Sequence, residues 1–237
     1  MNFPTIFDWL ERFAGVRGLP AVYGLLLLAL LVLFIRDWRV SLLALLGQYL
    51  LAGLLFVEVL EPRLAFIKVL VGLFVCLNLY MTGRQTQAAR RKKGTQTAAI
   101  MTEATPPLRQ ARLGPLVITA DALFRLFLTA VVLLIVVVLS QRPAYWLPGI
   151  AESLSFLQVA IYGLLLLGLL IMSLAGEPLR ASMGLLMALL GFDLFYSTQE
   201  TALALLVALA AIHLLLTLAV AYLAQVRQRV LHSLNPS

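Results

Sequence analysis

Seven long apolar segments dominate this 237-residue chain. A membrane-spanning helix needs about 20 apolar residues, with a range of about 17–25. The segments that meet this requirement are 20–36, 40–60, 63–82, 116–140, 154–175, 179–197 and 201–224. Hydrophobic side chains make up 62% of the chain and charged ones 12%, against roughly 45–50% and 25% in soluble domains. The sequence therefore predicts an all-α, polytopic membrane helix bundle with seven transmembrane helices.

Basic residues indicate how this bundle is oriented. The polar stretch from Arg84 to Arg112 carries seven basic residues and a single acid, Glu103. Positive charge that flanks spans stays on the cytoplasmic side, so we place this stretch inside. With seven spans the N-terminus is then outside and the C-terminus inside, which puts 12 basic residues inside and 4 outside. The four outside are Arg12, Arg17, Arg63 and Arg142. We expect a multi-pass protein of the cell (inner) membrane.

The residue inventory excludes several classes of site. The single cysteine, Cys76, cannot support a disulfide framework or a site built from several thiolates. No nucleophile–base pair, phosphate-binding loop or metal-ligand cluster can be assembled from the sequence. We expect no catalytic site, no metal, no cofactor and no soluble small-molecule substrate. The net charge of +7 is a topological signal and does not require nucleic acid.

An internal repeat is visible in the spans. AVYGLLLLALLVL from Ala21 and AIYGLLLLGLLIM from Ala160 share nine of thirteen positions, and ALLG follows at Ala44 and again at Ala188. In the third span of each set, Lys68 and His213 fall at nearly the same offset. A parallel repeat of three spans needs one extra span between its copies to restore direction. The sequence thus predicts a parallel 3+1+3 repeat.

These features divide the chain into six parts. They are an N-terminal interfacial segment (1–19), a first three-helix unit (20–82), a basic cytoplasmic loop (83–115), a connector transmembrane helix (116–140), a second three-helix unit (154–224) and a cytoplasmic tail (225–237). The first segment lacks the basic start and cleavage site of a signal peptide, and it has the pattern of a short amphipathic helix.

The few ionisable residues inside the spans are the functional candidates, because burying such a group in a membrane is costly. His213 is predicted near the bilayer midplane, where an imidazole can exchange a proton or, alternatively, bond to a neighbouring helix. Lys68 and Asp193 are expected to pair if the two units pack together. Asp121 and Arg125 are four residues apart on one face of the connector, so they can neutralise each other or assist a proton path.

The segment from Leu157 to Arg229 resembles the small three-span subunit of complex I, the NuoK or MrpC type, and still more the E-type membrane subunit of hydrogenase-4. The stretch from Gly184 to Tyr196 looks like the second span of that family. Leu186 stands where the family has an intramembrane glutamate, and Asp193 where it has an asparagine. The run that ends at His213 resembles the small-residue run that ends in the second family glutamate.

The resemblance implies a membrane subunit of a complex I-like or group 4 hydrogenase-like ion-translocating assembly. Its proton-relay candidates are His213, Lys68, Asp193, Asp121 and Arg125, and its partners are other integral membrane subunits, of the antiporter-like kind, and lipids. Both glutamates of the family are absent from this sequence. Leu186 cannot carry a proton, whereas His213 could replace the second glutamate. The alternative is therefore a non-catalytic structural subunit that stabilises a larger membrane complex.

Overall fold

The computed structural model describes residues 15, 18–35, 37–100, 120–200 and 202–233, with side chains for 15, 18–35, 37–87, 122–200 and 202–226. Most of these residues are helical, and none of them lies in a strand. Seven α-helices follow one another in these ranges: α1 (Leu19–Phe34), α2 (Trp38–Phe56), α3 (Pro62–Ile100), α4 (Ala120–Gln141), α5 (Ser155–Leu174), α6 (Pro178–Gln199) and α7 (Leu203–Ser233). Two short 3-10 turns, Pro143–Tyr145 and Glu152–Leu154, connect α4 to α5. The predicted all-α fold is confirmed.

Six of these helices are long and apolar enough to cross a membrane, namely α2 to α7. The first is apolar but has only 16 residues, which at 1.5 Å per residue is about 24 Å and falls short of the roughly 30 Å hydrocarbon layer. The protein is thus a helical membrane bundle. The span predicted at 20–36 corresponds to α1, which is shorter than the other apolar helices in the described ranges.

Helix α1 nevertheless lies inside the bundle, with Ala21, Val22 and Leu25 fully buried. It is short because Ile35 is extended and Asp37 starts the next helix, accepting a hydrogen bond from the Arg39 backbone at 3.0 Å. Two of its last carbonyl groups accept hydrogen bonds from the guanidinium of Arg180 in α6. A cation at a helix C-terminus is favourable because that end carries partial negative charge.

Other helix boundaries differ from the predicted ones. The α3 helix continues to Ile100, so much of the segment predicted as a basic loop at 83–115 is helical. Likewise α7 continues to Ser233, into the predicted tail at 225–237. The connector predicted at 116–140 is described from Ala120 to Gln141. The predicted amphipathic helix in 1–19 lies outside the described residues, apart from Gly15, Gly18 and the first residue of α1, Leu19.

The helices pack with the same pattern in the two units of the repeat. Within each unit, consecutive helices pack together: α1 with α2 and α2 with α3 in the first unit, and α5 with α6 and α6 with α7 in the second. Between units, α1 packs against α5, α2 against α6 and α3 against α7. Each helix thereby contacts its counterpart in the repeat. The connector α4 packs against α5 and is the least buried span, at 11% of its apolar window.

Glycines allow the closest of these contacts. A Cβ atom at Gly184 would lie 2.6 Å from the Met172 backbone nitrogen and 2.7 Å from the Gly168 carbonyl oxygen, so α5 and α6 touch through their backbones. Gly47 and Gly191 hold equivalent repeat positions, and a Cβ at either would meet a leucine of the first helix of its own unit at 2.8 Å. Small residues commonly bring membrane helices together in this way.

We call the end of the bundle where α2, α4 and α6 begin the basic end, because it leads into the arginine-rich part of α3. The other end, where α3, α5 and α7 begin, is the opposite end.

Candidate functional site

Lys68 of α3 and Asp193 of α6 form a buried ion pair in the membrane-spanning part of the bundle. Their side chains are 7% and 4% exposed. The pair crosses between the two three-helix units, as the sequence predicted for units that pack together. Since a charge in an apolar medium is costly unless it is paired, each partner makes the burial of the other tolerable.

Helix geometry brings these two residues to the same depth. Lys68 lies six residues after the start of α3, and Asp193 lies six residues before the end of α6. Both positions are about 9 Å from the opposite end at 1.5 Å per residue. The Lys68 ammonium also lies 5.4 Å from the ring centroid of Phe56, which is a cation–π contact.

His213 and Tyr49 lie beside the ion pair and contact each other edge to face. Their ring centroids are 6.0 Å apart and their planes are inclined at 70°. His213 Nδ1 lies 3.0 Å from the carbonyl oxygen of Leu209, so in the neutral ring Nδ1 carries the proton and Nε2 is left as an acceptor. Neither His213 Nε2 nor the Tyr49 hydroxyl, both buried, has a hydrogen-bond partner among the described residues.

All four side chains line one small cavity, and we call them the polar cluster: Tyr49, Lys68, Asp193 and His213. Its remaining walls are apolar. The cavity leaves about 10 Å³ for the centre of a water molecule, which is close to the room that one water requires. The cluster therefore combines an ion pair, an imidazole acceptor and a phenolic donor around a space of one water molecule.

The repeat relates the members of the polar cluster to one another. Asp193 follows the Ala188 ALLG segment at the same distance as Tyr49 follows the Ala44 ALLG segment, and Lys68 and His213 correspond in the third helices. The Lys68–Asp193 contact joins α3 to α6, and the Tyr49–His213 contact joins α7 to α2. These two contacts are thus equivalent under the repeat, one ionic and one between rings.

Sequence reasoning missed Tyr49. An aromatic residue in an apolar span is ordinary, and nothing in its immediate surroundings marks it as part of a site. The signal that identifies it is the repeat register, which places a tyrosine in one unit where the other has the acid of the ion pair.

Of the remaining two candidates, Arg125 does not line the cavity of the polar cluster. Arg125 lines a different cavity, at the basic end, together with Trp38 and Arg180. The Asp121 side chain lies outside the described residues, so its predicted interaction with Arg125 stays a prediction. Within the described ranges, no three histidine, cysteine or acidic side chains are placed to hold a metal ion together.

Comparison with protein-family models, with curated proteins and with solved structures yields no match. The resemblance to the complex I and hydrogenase-4 subunits therefore rests on the short motifs described above and stays a prediction.

Proposed function

We propose that this protein is a subunit of an ion-translocating membrane assembly, of the complex I-like or group 4 hydrogenase-like kind, and that the polar cluster transfers protons within it. The observation that carries the proposal is the Lys68–Asp193 pair beside His213 at the interface of two packed units. Intramembrane ionisable residues are expensive to bury and commonly belong to proton or ion pathways.

The chemistry of the polar cluster suits proton exchange. His213 Nε2 accepts a proton while Nδ1 keeps its contact with the Leu209 carbonyl. A water molecule in the cavity would receive a hydrogen bond from the Tyr49 hydroxyl and give one to His213 Nε2. The charge that arises on His213 is then within reach of the Asp193 carboxylate, which already neutralises Lys68. Competition between two cations for one carboxylate would couple protonation of His213 to release of Lys68.

The route from the polar cluster toward the basic end is short of polar groups in the described part of the chain. Gln48, buried next to Tyr49 in sequence, donates from Nε2 to the Met187 sulfur at 3.1 Å, and its Oε1 has no partner there. Ser41 lies seven residues before Gln48 in α2, toward the basic end, which is about 10 Å at 1.5 Å per residue. In the proposed function, a partner subunit or a helix movement completes this half of the path.

Proton flux through reconstituted protein tests the proposal. The full chain, purified with the subunits that accompany it, is placed in vesicles containing a pH-sensitive dye, and a potassium gradient with valinomycin sets the membrane potential. We expect flux above that of protein-free vesicles, and we expect His213→Gln and Tyr49→Phe to reduce it to the protein-free level. Leu215→Ala, a lipid-exposed change on the same helix as His213, is the matched control.

Wild-type flux no greater than that of empty vesicles, or full flux in His213→Gln, would contradict the relay. Identification of the co-purifying chains tests the family separately. An antiporter-like large subunit among them is the expected result.

A structural role is the second candidate, and one observation favours it. Several buried hydroxyl groups are bonded to carbonyl groups of their own helix and are thus already engaged, namely those of Thr82, Thr129, Ser197 and Thr217. If the protein is a scaffold, deletion of the chain should deplete its partner subunits from the membrane. It also predicts that polar-cluster variants leave the assembly and its flux intact.

A further inference from the structure

A second cavity lies at the basic end, separate from the polar cluster. Its volume is about 290 Å³. Three parts of the chain enclose it: the first turns of α2, the first turns of α4, and the turn from α5 to α6 with the start of α6. The polar side chains in its wall are Trp38, Ser41, Arg125, Glu177 and Arg180.

The wall of this cavity is suited to an anion. It contains two guanidinium groups, Arg125 and Arg180, against one carboxylate, Glu177. The Arg180 guanidinium is held in place by the Val32 and Leu33 carbonyl oxygens, the first at 3.0 Å. Guanidinium groups recognise phosphate oxygens through two parallel donors. Both α2 and α6 also begin here, and the N-terminal end of a helix carries partial positive charge.

The α4 wall of this cavity belongs to an exposed helix of the bundle. This helix is the least buried span, with 11% of its apolar window buried. Phe124 and Phe127, which flank Arg125 on this helix, are 55% and 66% exposed. On the other side, Trp38 stacks on Tyr80 with ring centroids 6.0 Å apart, and such aromatic residues prefer the depth of the headgroups. An acyl chain along α4 would therefore place its headgroup at the cavity.

We propose that this cavity binds the phosphate headgroup of an anionic phospholipid, whose acyl chains lie along α4. Arg125 binds the phosphate from the lipid-exposed wall and Arg180 from the interior wall. The basic part of α3 raises the local concentration of anionic lipid, because clustered basic residues attract such headgroups. This site is independent of proton transfer by the polar cluster.

Quenching of Trp38 fluorescence by brominated lipids tests the proposal, since Trp38 is part of the cavity wall. The chain has three tryptophans, and Trp9→Phe with Trp146→Phe leaves Trp38 as the sole reporter. The full chain is placed in nanodiscs of phosphatidylcholine that contain either brominated phosphatidylglycerol or brominated phosphatidylcholine at the same mole fraction. We expect a preference of roughly fivefold for the anionic lipid, the effect of one well-placed basic residue.

Arg125→Gln should abolish this preference, and Arg125→Lys, which keeps the charge but loses the paired donors, should reduce it. Arg142→Gln, just beyond the other end of the same helix, is the matched control and should leave it unchanged. Equal quenching by the two lipids in the reporter background would overturn the proposal, because lipid would then reach Trp38 without any preference for an anionic headgroup. Loss of the preference on addition of inorganic phosphate would assign the cavity to a soluble anion and would also overturn it.

Discussion

Lys68 and Asp193 are buried side by side in the bundle, and each charge compensates the other. Removal of one partner from a buried ion pair leaves an uncompensated charge, which costs about 3–5 kcal/mol. We therefore expect Asp193→Ala to lower the free energy of unfolding by that amount, measured by titration of mixed micelles with sodium dodecyl sulfate. Glu152→Ala, which removes an exposed carboxylate at the same end of the bundle, should have little effect.

The double variant Lys68→Met with Asp193→Leu separates charge from packing. Replacement of both partners by apolar residues of similar volume is commonly neutral or stabilising, so we expect it to recover most of the stability lost in Asp193→Ala. If the single and double variants unfold at the same detergent fraction, the uncompensated charge of Lys68 is not what destabilises Asp193→Ala. Proton flux in the stable double variant would then report on transfer without the complication of misfolding.

The sequence was sufficient to identify the ion pair but not the whole polar cluster. Lys68 and Asp193 stand out because charged residues are rare inside apolar spans, and their pairing was expected on the condition that the two units pack together. Tyr49 carries no charge and gives no such signal. The sequence also could not show that Arg125 lines a different cavity from the polar cluster. The position of a residue along the connector helix does not determine which cavity its side chain lines.

At the scale of the helices, the contact of α5 with α6 depends on glycine. A methyl group at Gly184 would meet backbone atoms of the facing helix at 2.6–2.7 Å, and backbone cannot move aside as a side chain can. We expect Gly184→Ala to lower the free energy of unfolding by about 1–3 kcal/mol, the usual cost of overpacking. Gly176→Ala, in the turn between the same helices with no atom within 4 Å of the added methyl group, is the control. Equal stability of the two variants would show that the helices separate without cost.

Helix ends were harder to predict than helix positions. Hydropathy locates the part of a helix that lies in lipid, but it does not report where the helix stops. The arginine, glutamine, alanine and lysine residues after Gly83 have high helix propensity, and α3 continues through them to Ile100. The apolar segment at 20–36 ended earlier than predicted because Asp37 caps the following helix.

At the scale of the whole molecule, the repeat accounts for the packing of the two units. The sequence predicted two equivalent sets of three helices but not the faces through which they meet. Its spans are apolar on nearly all sides, so hydrophobic periodicity does not single out a buried stripe. The structure places each helix against its counterpart, and this puts the polar cluster where the second and third helices of both units come together.

The distribution of basic residues along the whole chain predicts its orientation in the membrane. Cys76 is buried and is the only cysteine, so Cys76→Ala provides a background in which single cysteines report which side of the membrane they face. We expect Ala144→Cys, in the α4–α5 connection, to react with a membrane-impermeant maleimide in intact cells. Gly176→Cys, at the basic end, should react only after permeabilisation, because basic flanks stay on the cytoplasmic side. The opposite pattern would reverse the orientation.

A cysteine at Asn2 then decides whether α1 crosses the membrane. Helix α1 has only 16 residues, but it runs antiparallel to α2, since Gly24 faces Leu51 while Gly47 faces Leu28. Its first residues therefore lie near the opposite end of the bundle. We expect Asn2→Cys to react in intact cells together with Ala144→Cys, as seven crossings require. Protection of Asn2→Cys while Ala144→Cys reacts would mean six crossings, with the N-terminus on the same side as the basic end.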